Sequence, residues 1–266
     1  MISKKDYIEL FEKYNDPAIS YLRDHAYRFL STKELISSRL KNSDEIRLLD
    51  IPSHWLHNAL LYAIDGYKVT ACDLAGGEIS NPSVIKCAYD HNIELIELNT
   101  LQNPIELDKL PDNIFDIVMF TEVIEHITFN PIKMWTLIYR KMKEGGKIVI
   151  TTPNYHYVRG AMFNDIRRIL SGCSTGITVS DILEIQDYAP HWKEYTKRDI
   201  LIYFSKLSPD FLISKIIYND LYGWQHIGKI ERFMQKKLIP KLFNPTMYIE
   251  VELPRKDVGI VPIPHC

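Results

Sequence analysis

Five short runs of β-branched or apolar residues punctuate the chain: "IRLLDI" (46–51), "KVTACD" (68–73), "IELIEL" (93–98), "FDIVMFT" (115–121) and "KIVITT" (147–152). The stretches between them are long enough for helices, and a parallel strand pair needs a crossover of a dozen or more residues. Runs this apolar fit strands that are buried on both faces. The pattern therefore predicts an α/β unit built on a mostly parallel sheet.

The helix before the fifth run can be checked by its period. In "NPIKMWTLIYRKMKEGG", Ile132, Trp135, Ile138, Tyr139 and Met142 share one helical face. Pro131 suits the first turn, and Gly145-Gly146 marks the expected end. Residues 1–45 read as a helical segment, with Asp16 as an N-cap and Pro17 at the first helical position. Beyond residue 152 the rhythm breaks. Residues 153–190 mix a basic amphipathic helix with a Gly/Ser/Thr loop, as expected of a lid or substrate-binding insertion. A helix at 196–206, a strand at 211–218, a helix at about 228–239 and a strand at 246–253 follow. The organisation is an N-terminal helical segment (1–45), an α/β domain (46–253) and an extended tail (254–266).

Composition narrows the partners. The 266 residues can bury one sizeable core. With 32 basic and 34 acidic residues, a net charge of -2 argues against nucleic acid as a partner. Cys72, Cys87, Cys173 and Cys266 are scattered, without metal-binding spacing or the density of a disulfide scaffold, so no metal is expected and a cytoplasmic location is. The first residues lack a signal-peptide core, and no segment approaches the ~18 uninterrupted apolar residues of a membrane span.

In an open parallel sheet, ligands bind beyond the carboxyl ends of the strands, where strand order reverses. The residues at those ends are Pro52, Ser53, His54 and Trp55 after the first strand, Asp73 and Leu74 after the second, Asn99 and Thr100 after the third, and Thr121 and Glu122 after the fourth. An acidic group after the second strand is placed to accept both hydroxyls of a ribose, so Asp73 points to a nucleoside.

The ordered blocks "LLDIPSHWL", "GYKVTACD", "FDIVMFTEVIEHI", "GGKIVITTPN" and "HWKEYTKRDI" resemble the class I S-adenosylmethionine-dependent methyltransferases, in particular the small-molecule branch with "EVIEH" after the fourth strand. The resemblance covers roughly residues 46–205. It implies a Rossmann-like fold with a mostly parallel seven-stranded sheet, helices on both faces and an insertion after the fifth strand. The implied cofactor is S-adenosylmethionine, held by Asp50, Pro52, Ser53, His54, Asp73, Leu74, Asn99, Thr100, Thr121 and Glu122. Asn99 stands where the family often has an aspartate that accepts from the adenine amino group; a plain turn asparagine is the other reading.

The departure is as specific as the resemblance. Pro52, His54 and Leu56 stand where the family usually has three glycines, which let the backbone turn tightly beside the cofactor. His54 and Trp55 must either point away from the cofactor or occupy its place. Two readings follow: a site that relies on the other loops, or one that has been closed or re-purposed.

If the cofactor binds, a substrate nucleophile attacks the sulfonium methyl, and the protein must chiefly align the partners and exclude water. His126 and His191 are the candidate bases for a hydroxyl nucleophile, since imidazole exchanges protons near neutrality; each could instead be a structural histidine. Tyr14, Tyr21, Tyr155 and Tyr157 read as packing residues. The insertion followed by "HWKEYT" resembles methyltransferases of sugar and surface-polysaccharide pathways, which implies O-methylation of a small, polar, sugar-like acceptor. The alternative is a catalytically inactive domain with a binding or regulatory role. A nicotinamide dehydrogenase is disfavoured because no GxGxxG is present. Oligomeric state is not specified by the sequence.

Overall fold

The computed structural model describes residues 2–14, 17–37, 45–172, 175–176, 191–219, 233–234, 237 and 239–261. Two helices come first, α1 (Lys4–Glu12) and α2 (Ile19–Ser37). The α/β unit follows as β1 (Arg47–Asp50), α3 (His57–Ala63), β2 (Lys68–Leu74), α4 (Pro82–Asp90), β3 (Glu94–Leu98), β4 (Phe115–Thr121), α5 (Ile132–Lys141) and β5 (Met142–Pro153). Then come α6 (Ala161–Leu170), α7 (Lys197–Leu207), β6 (Leu212–Asn219), a helical turn at Pro240–Phe243 and β7 (Thr246–Glu252). The seven strands lie in the order β3-β2-β1-β4-β5-β7-β6, parallel except for β7, which runs antiparallel to both of its neighbours.

The strand interiors alternate between two cores. Leu49, Val118, Phe120, Ile148 and Ile150 face one side, where they meet Trp135 and Ile138 of α5 and Ile200 and Phe204 of α7. Leu48, Ile117, Met119 and Val149 face the other, against side chains of α1 through α4. The two-residue side-chain period on doubly covered strands is what made the runs so apolar. Trp135 is fully buried, and its indole donates to the Tyr203 hydroxyl at 2.8 Å, joining α5 to α7.

The N-terminal helices are tied into this second core rather than laid over it. The Tyr7 hydroxyl donates to the His57 carbonyl at 2.5 Å. The buried Lys33 ammonium donates to the Leu61 carbonyl and pairs with Asp65 at 2.6 Å, so α2 contributes a cation at the C-terminal end of α3.

Two details differ from the sequence expectations. α2 begins at Ile19, two residues past Pro17, while the expected cap Asp16 lies outside the described residues. Gly145-Gly146 does not end α5, which stops at Lys141; the pair lies within β5. Gly145 has a φ of +79°, and a Cβ on Gly146 would sit 2.9 Å from the Lys143 carbonyl oxygen and 3.1 Å from that of Phe115. Glycine is therefore needed there for an irregular strand start, where the β4–β5 register shifts between Phe115 and Ile117. The helix expected at about 228–239 falls largely outside the described residues, as does most of 173–190; α6 is the amphipathic helix expected in that insertion. Among the described residues, no helix is long and apolar enough to cross a membrane.

Candidate functional site

Strand order reverses between β1 and β4, and a cavity of about 440 Å3 opens beyond their carboxyl ends. Its wall includes Asp50, Pro52, Ser53, His54, Asp73, Thr121, Glu122, Glu125, His126 and His191, joined by Tyr21, Arg28 and Phe29 from α2. A narrower apolar slot of about 170 Å3 shares Pro52, Asp73, Glu122, Val123 and His126 with it and is otherwise lined by Leu74, Leu98, Leu101, Ile127 and Phe129. The larger cavity falls in the ~300–1,000 Å3 range of small-molecule sites.

The loop after β1 keeps a glycine-like path without glycine. The Ile51–Pro52 peptide is cis, and His54 and Leu56 have φ values of 49° and 63°. L-residues avoid this left-handed region at a cost of about 1–2 kcal/mol each. The loop is held there from both ends. The Ser53 N–H donates to the Cys72 carbonyl at 2.8 Å, and the His54 N–H donates to Asp73 Oδ2 at 2.5 Å. The bulky side chains leave the cavity open. Leu56 is buried in the core with α1 to α4, Trp55 packs against the same cluster, and the half-exposed His54 ring leans toward Tyr21 and Glu78 at the rim.

Acidic groups dominate the wall. Asp73 is buried, and its two oxygens accept from the His54 and Leu74 N–H groups. Burial raises its pKa, against the lowering effect of those N–H donors. Asp50 is buried as well. Its Oδ1 accepts from Asn58 Nδ2 at 3.3 Å, whereas Oδ2 has no hydrogen-bond partner. Burial pushes its pKa up to about 7, with the nearby Asp73 charge adding to the shift. Glu122, at a φ of 56°, pairs with Arg28 Nη1 at 3.4 Å, and Arg28 Nη2 donates to the Tyr21 hydroxyl at 2.6 Å. Glu125 is fully buried and accepts from Thr152 Oγ1 at 2.9 Å. Burial, then the Glu122 charge, raises its pKa well above the usual range. A buried orphan oxygen on Asp50, and more carboxylates than cations around the cavity, fit a ligand carrying a sulfonium and an ammonium.

The sequence-chosen residues are mostly brought together. Asp50, Pro52, Ser53, His54, Asp73, Thr121, Glu122, His126 and His191 line the main cavity, and Leu74 lines the slot. Asn99 and Thr100 line neither. The exposed Asn99 amide donates to Glu106 Oε1 at 2.5 Å, and Thr100 Oγ1 accepts from the Gln102 N–H. Leu98 and Leu101 on either side of them face the slot instead. Glu122 and His126 share a wall, and the loop between them closes in a three-residue 3-10 turn at Ile124–His126.

Arg28, Tyr21, Phe29 and Glu125 were missed by sequence reasoning. The three residues of α2 reach the cavity only through tertiary packing. Glu125 stood in view within "EVIEH", where its place beside His126 was the available signal.

Beside the main cavity lies a wider, more open one of about 1,100 Å3, walled by α6 and residues 191–199. Arg159, Arg167, Arg168 and Lys193 line it together with Asp165, Glu194 and Asp199, and Trp192 adds an aromatic face. His191 lines both cavities.

Comparison with known proteins accords with this geometry. A family model described as a methyltransferase domain matches residues 21–199, beginning inside α2. A search of curated proteins returned no match. Among solved structures, a SAM-dependent methyltransferase from Thermotoga maritima superposes with a TM-score of 0.52 at 11% identity, over 92% of this chain and 99% of that one. A protein from Pyrococcus horikoshii OT3 gives 0.51 at 15% identity, over 84% and 89%. Geranyl diphosphate C-methyltransferase from Streptomyces coelicolor A3(2), solved with Mg2+, geranyl diphosphate and S-adenosyl-L-homocysteine, gives 0.51 at 11% identity, over 84% and 78%. At these identities the likeness is one of fold; the family match adds the cofactor class. The chain belongs to the class I S-adenosylmethionine-dependent methyltransferases.

Proposed function

We propose that this methyltransferase transfers its methyl group to a hydroxyl of a small, polar, sugar-like acceptor. The observation that carries the reading is the position of His191, which lines both the acidic cavity at the strand switch point and the wide polar cavity beneath α6. A cofactor in the first cavity and an acceptor in the second would meet at His126 and His191, whose ring centroids are 5.0 Å apart.

Each residue then has a task. Asp73 receives the ribose hydroxyls on lone pairs left over from its two backbone contacts. The apolar slot of Leu74, Leu98, Leu101, Val123 and Phe129 receives the adenine. Asp50 Oδ2, with Ser53 beside it, receives the ammonium of the methionine part. When bound, S-adenosylmethionine supplies an electrophilic methyl. The acidic wall holds the sulfonium end, while Arg28 keeps Glu122 in place between α2 and the loop after β4. Trp192 offers a flat apolar surface for a sugar ring, and the charged groups around it offer partners for hydroxyls. His126 and His191 meet the hydroxyl that must lose its proton.

Calorimetric titration with S-adenosylmethionine and S-adenosylhomocysteine tests the first half, followed by labelled methyl transfer to a panel of sugars and nucleotide sugars. Micromolar binding lost in Asp73→Ala, and turnover on a polyol acceptor lost in His191→Ala, are the expected results. Cofactor binding without transfer to any hydroxylated acceptor would overturn the acceptor class. No binding at millimolar cofactor would favour the non-catalytic alternative.

A further inference from the structure

Among the described residues, Glu125, His126 and His191 each present one ligand-capable atom, and these atoms all lie within 4.8 Å of one another. Glu125 Oε1 and His126 Nε2 are 3.9 Å apart. Two atoms bound to a common ion at about 2.0–2.2 Å are separated by roughly 3–4.2 Å, so this pair already has suitable spacing. His191 is exposed, and a small ring rotation would bring it in.

Two independent features point to a ligand here. The Glu125 side chain is completely buried, and its Oε1 has no hydrogen bond, although its other oxygen is held by Thr152. A buried carboxylate oxygen facing a cavity is costly unless something positive or protic meets it. His191 Nδ1 lies 3.2 Å from Glu194 Oε1. That contact gives the ring a carboxylate partner, the same carboxylate–imidazole arrangement that orients metal-bound histidines.

We propose that Glu125, His126 and His191 bind one divalent transition-metal cation, with open coordination positions toward the acceptor cavity. Two imidazoles and a carboxylate select manganese, iron, cobalt or zinc over magnesium, which prefers an all-oxygen shell. The inference deepens the proposed function and rests on it for the acceptor. The ion would receive the acceptor hydroxyl, favour its ionised form and favour acceptors with two adjacent oxygens. The two histidines would then act through the cation, and the proton of the acceptor hydroxyl would pass to solvent water in the open cavity rather than to either imidazole.

The test uses the chelator-treated full chain without cofactor or acceptor, so its outcome is separate from that of the methyl-transfer reading. Mn2+ binding is followed by electron paramagnetic resonance and Co2+ binding by visible absorption, with Mg2+ and Zn2+ titrated by calorimetry. One Mn2+ or Co2+ per chain at micromolar concentration is expected, with Mg2+ at least ~100-fold weaker. His191→Ala, a surface change, should weaken Mn2+ binding at least ~100-fold without altering the melting temperature, and Glu194→Gln about 10-fold. Glu125→Gln should abolish binding; if it fails to fold, the His191 and Glu194 variants still decide. Absence of 1:1 binding by Mn2+, Co2+ and Zn2+, or binding unaffected by His191→Ala, would overturn the site.

Discussion

Two loops meet at the strand switch point, and they depart from expectation in opposite ways. The loop after β1 has Pro52, His54 and Leu56 where the sequence resemblance implies glycines, yet His54 and Leu56 carry the backbone through the left-handed region that glycine would favour. The loop after β4 carries the "EVIEH" run on which the sequence resemblance rests, yet Glu122 is itself left-handed and the run closes in a short 3-10 turn. Backbone shape and residue identity are thus separable. The first loop keeps its path because Asp73 and the Cys72 carbonyl hold its N–H groups, and the second is braced through Arg28 from outside.

The largest test of this contrast is Asp73→Ala, which removes both the proposed ribose acceptor and the anchor of the His54 N–H. Losing hydrogen bonds to a buried charge should weaken S-adenosylmethionine by about 100-fold or more, read by calorimetry. A loss under tenfold would show that Asp73 serves the loop alone.

Leu56→Gly comes next. Relief of a left-handed leucine returns about 1 kcal/mol, but emptying a fully buried site costs about 2–5 kcal/mol, so the variant should be less stable by roughly 2 kcal/mol in urea denaturation. A gain in stability would mean that the leucine side chain contributes little to the core.

The Asp50 carboxyl, pushed up to about 7 in the folded protein, gives a pH signature. A cationic ligand favours the ionised form, so cofactor affinity should fall by up to about tenfold per pH unit below 7 and level off above it, with proton release on binding near neutrality. Asp50→Asn should flatten that profile. The sign for stability is opposite. The folded chain retains this proton between about pH 4 and 7 while the unfolded chain has lost it, so the contribution of Asp50 to stability declines as pH rises through that window.

The smallest expected effect is His54→Gly. The ring is half exposed and the backbone is left-handed, so glycine should add up to about 1 kcal/mol, seen as a melting temperature raised by a few degrees. An unchanged or lower melting temperature would show that the His54 ring stabilises the loop through its neighbours Tyr21 and Glu78.

All seven strands could be read from the sequence to within a few residues, apart from the early start of β5, because burial on both faces makes each strand a short apolar run. Gly145-Gly146 was misread as a helix end because a glycine pair after a periodic stretch has the same local signature whether it caps a helix or relieves a crowded strand. The wall of the candidate site was legible where it follows the strand ends, as at Asp50, Asp73 and Glu122, which line the cavity. It was not legible where it depends on long-range packing. Arg28 lies 94 positions from Glu122 in the chain, and no local pattern reports their 3.4 Å approach. Asn99 illustrates the reverse case, a residue in the expected position whose amide is taken by Glu106.

For anyone engineering this scaffold, the brace between α2 and the loop after β4 redraws the smallest useful piece. A fragment trimmed to begin at β1 would retain every strand and every recognisable motif. It would lack the part of the cavity wall formed by Tyr21, Arg28 and Phe29, together with the cation that pairs with Glu122. Grafts, fusions and minimised variants should therefore carry the first helices along with the sheet, even though those helices contribute no strand to it.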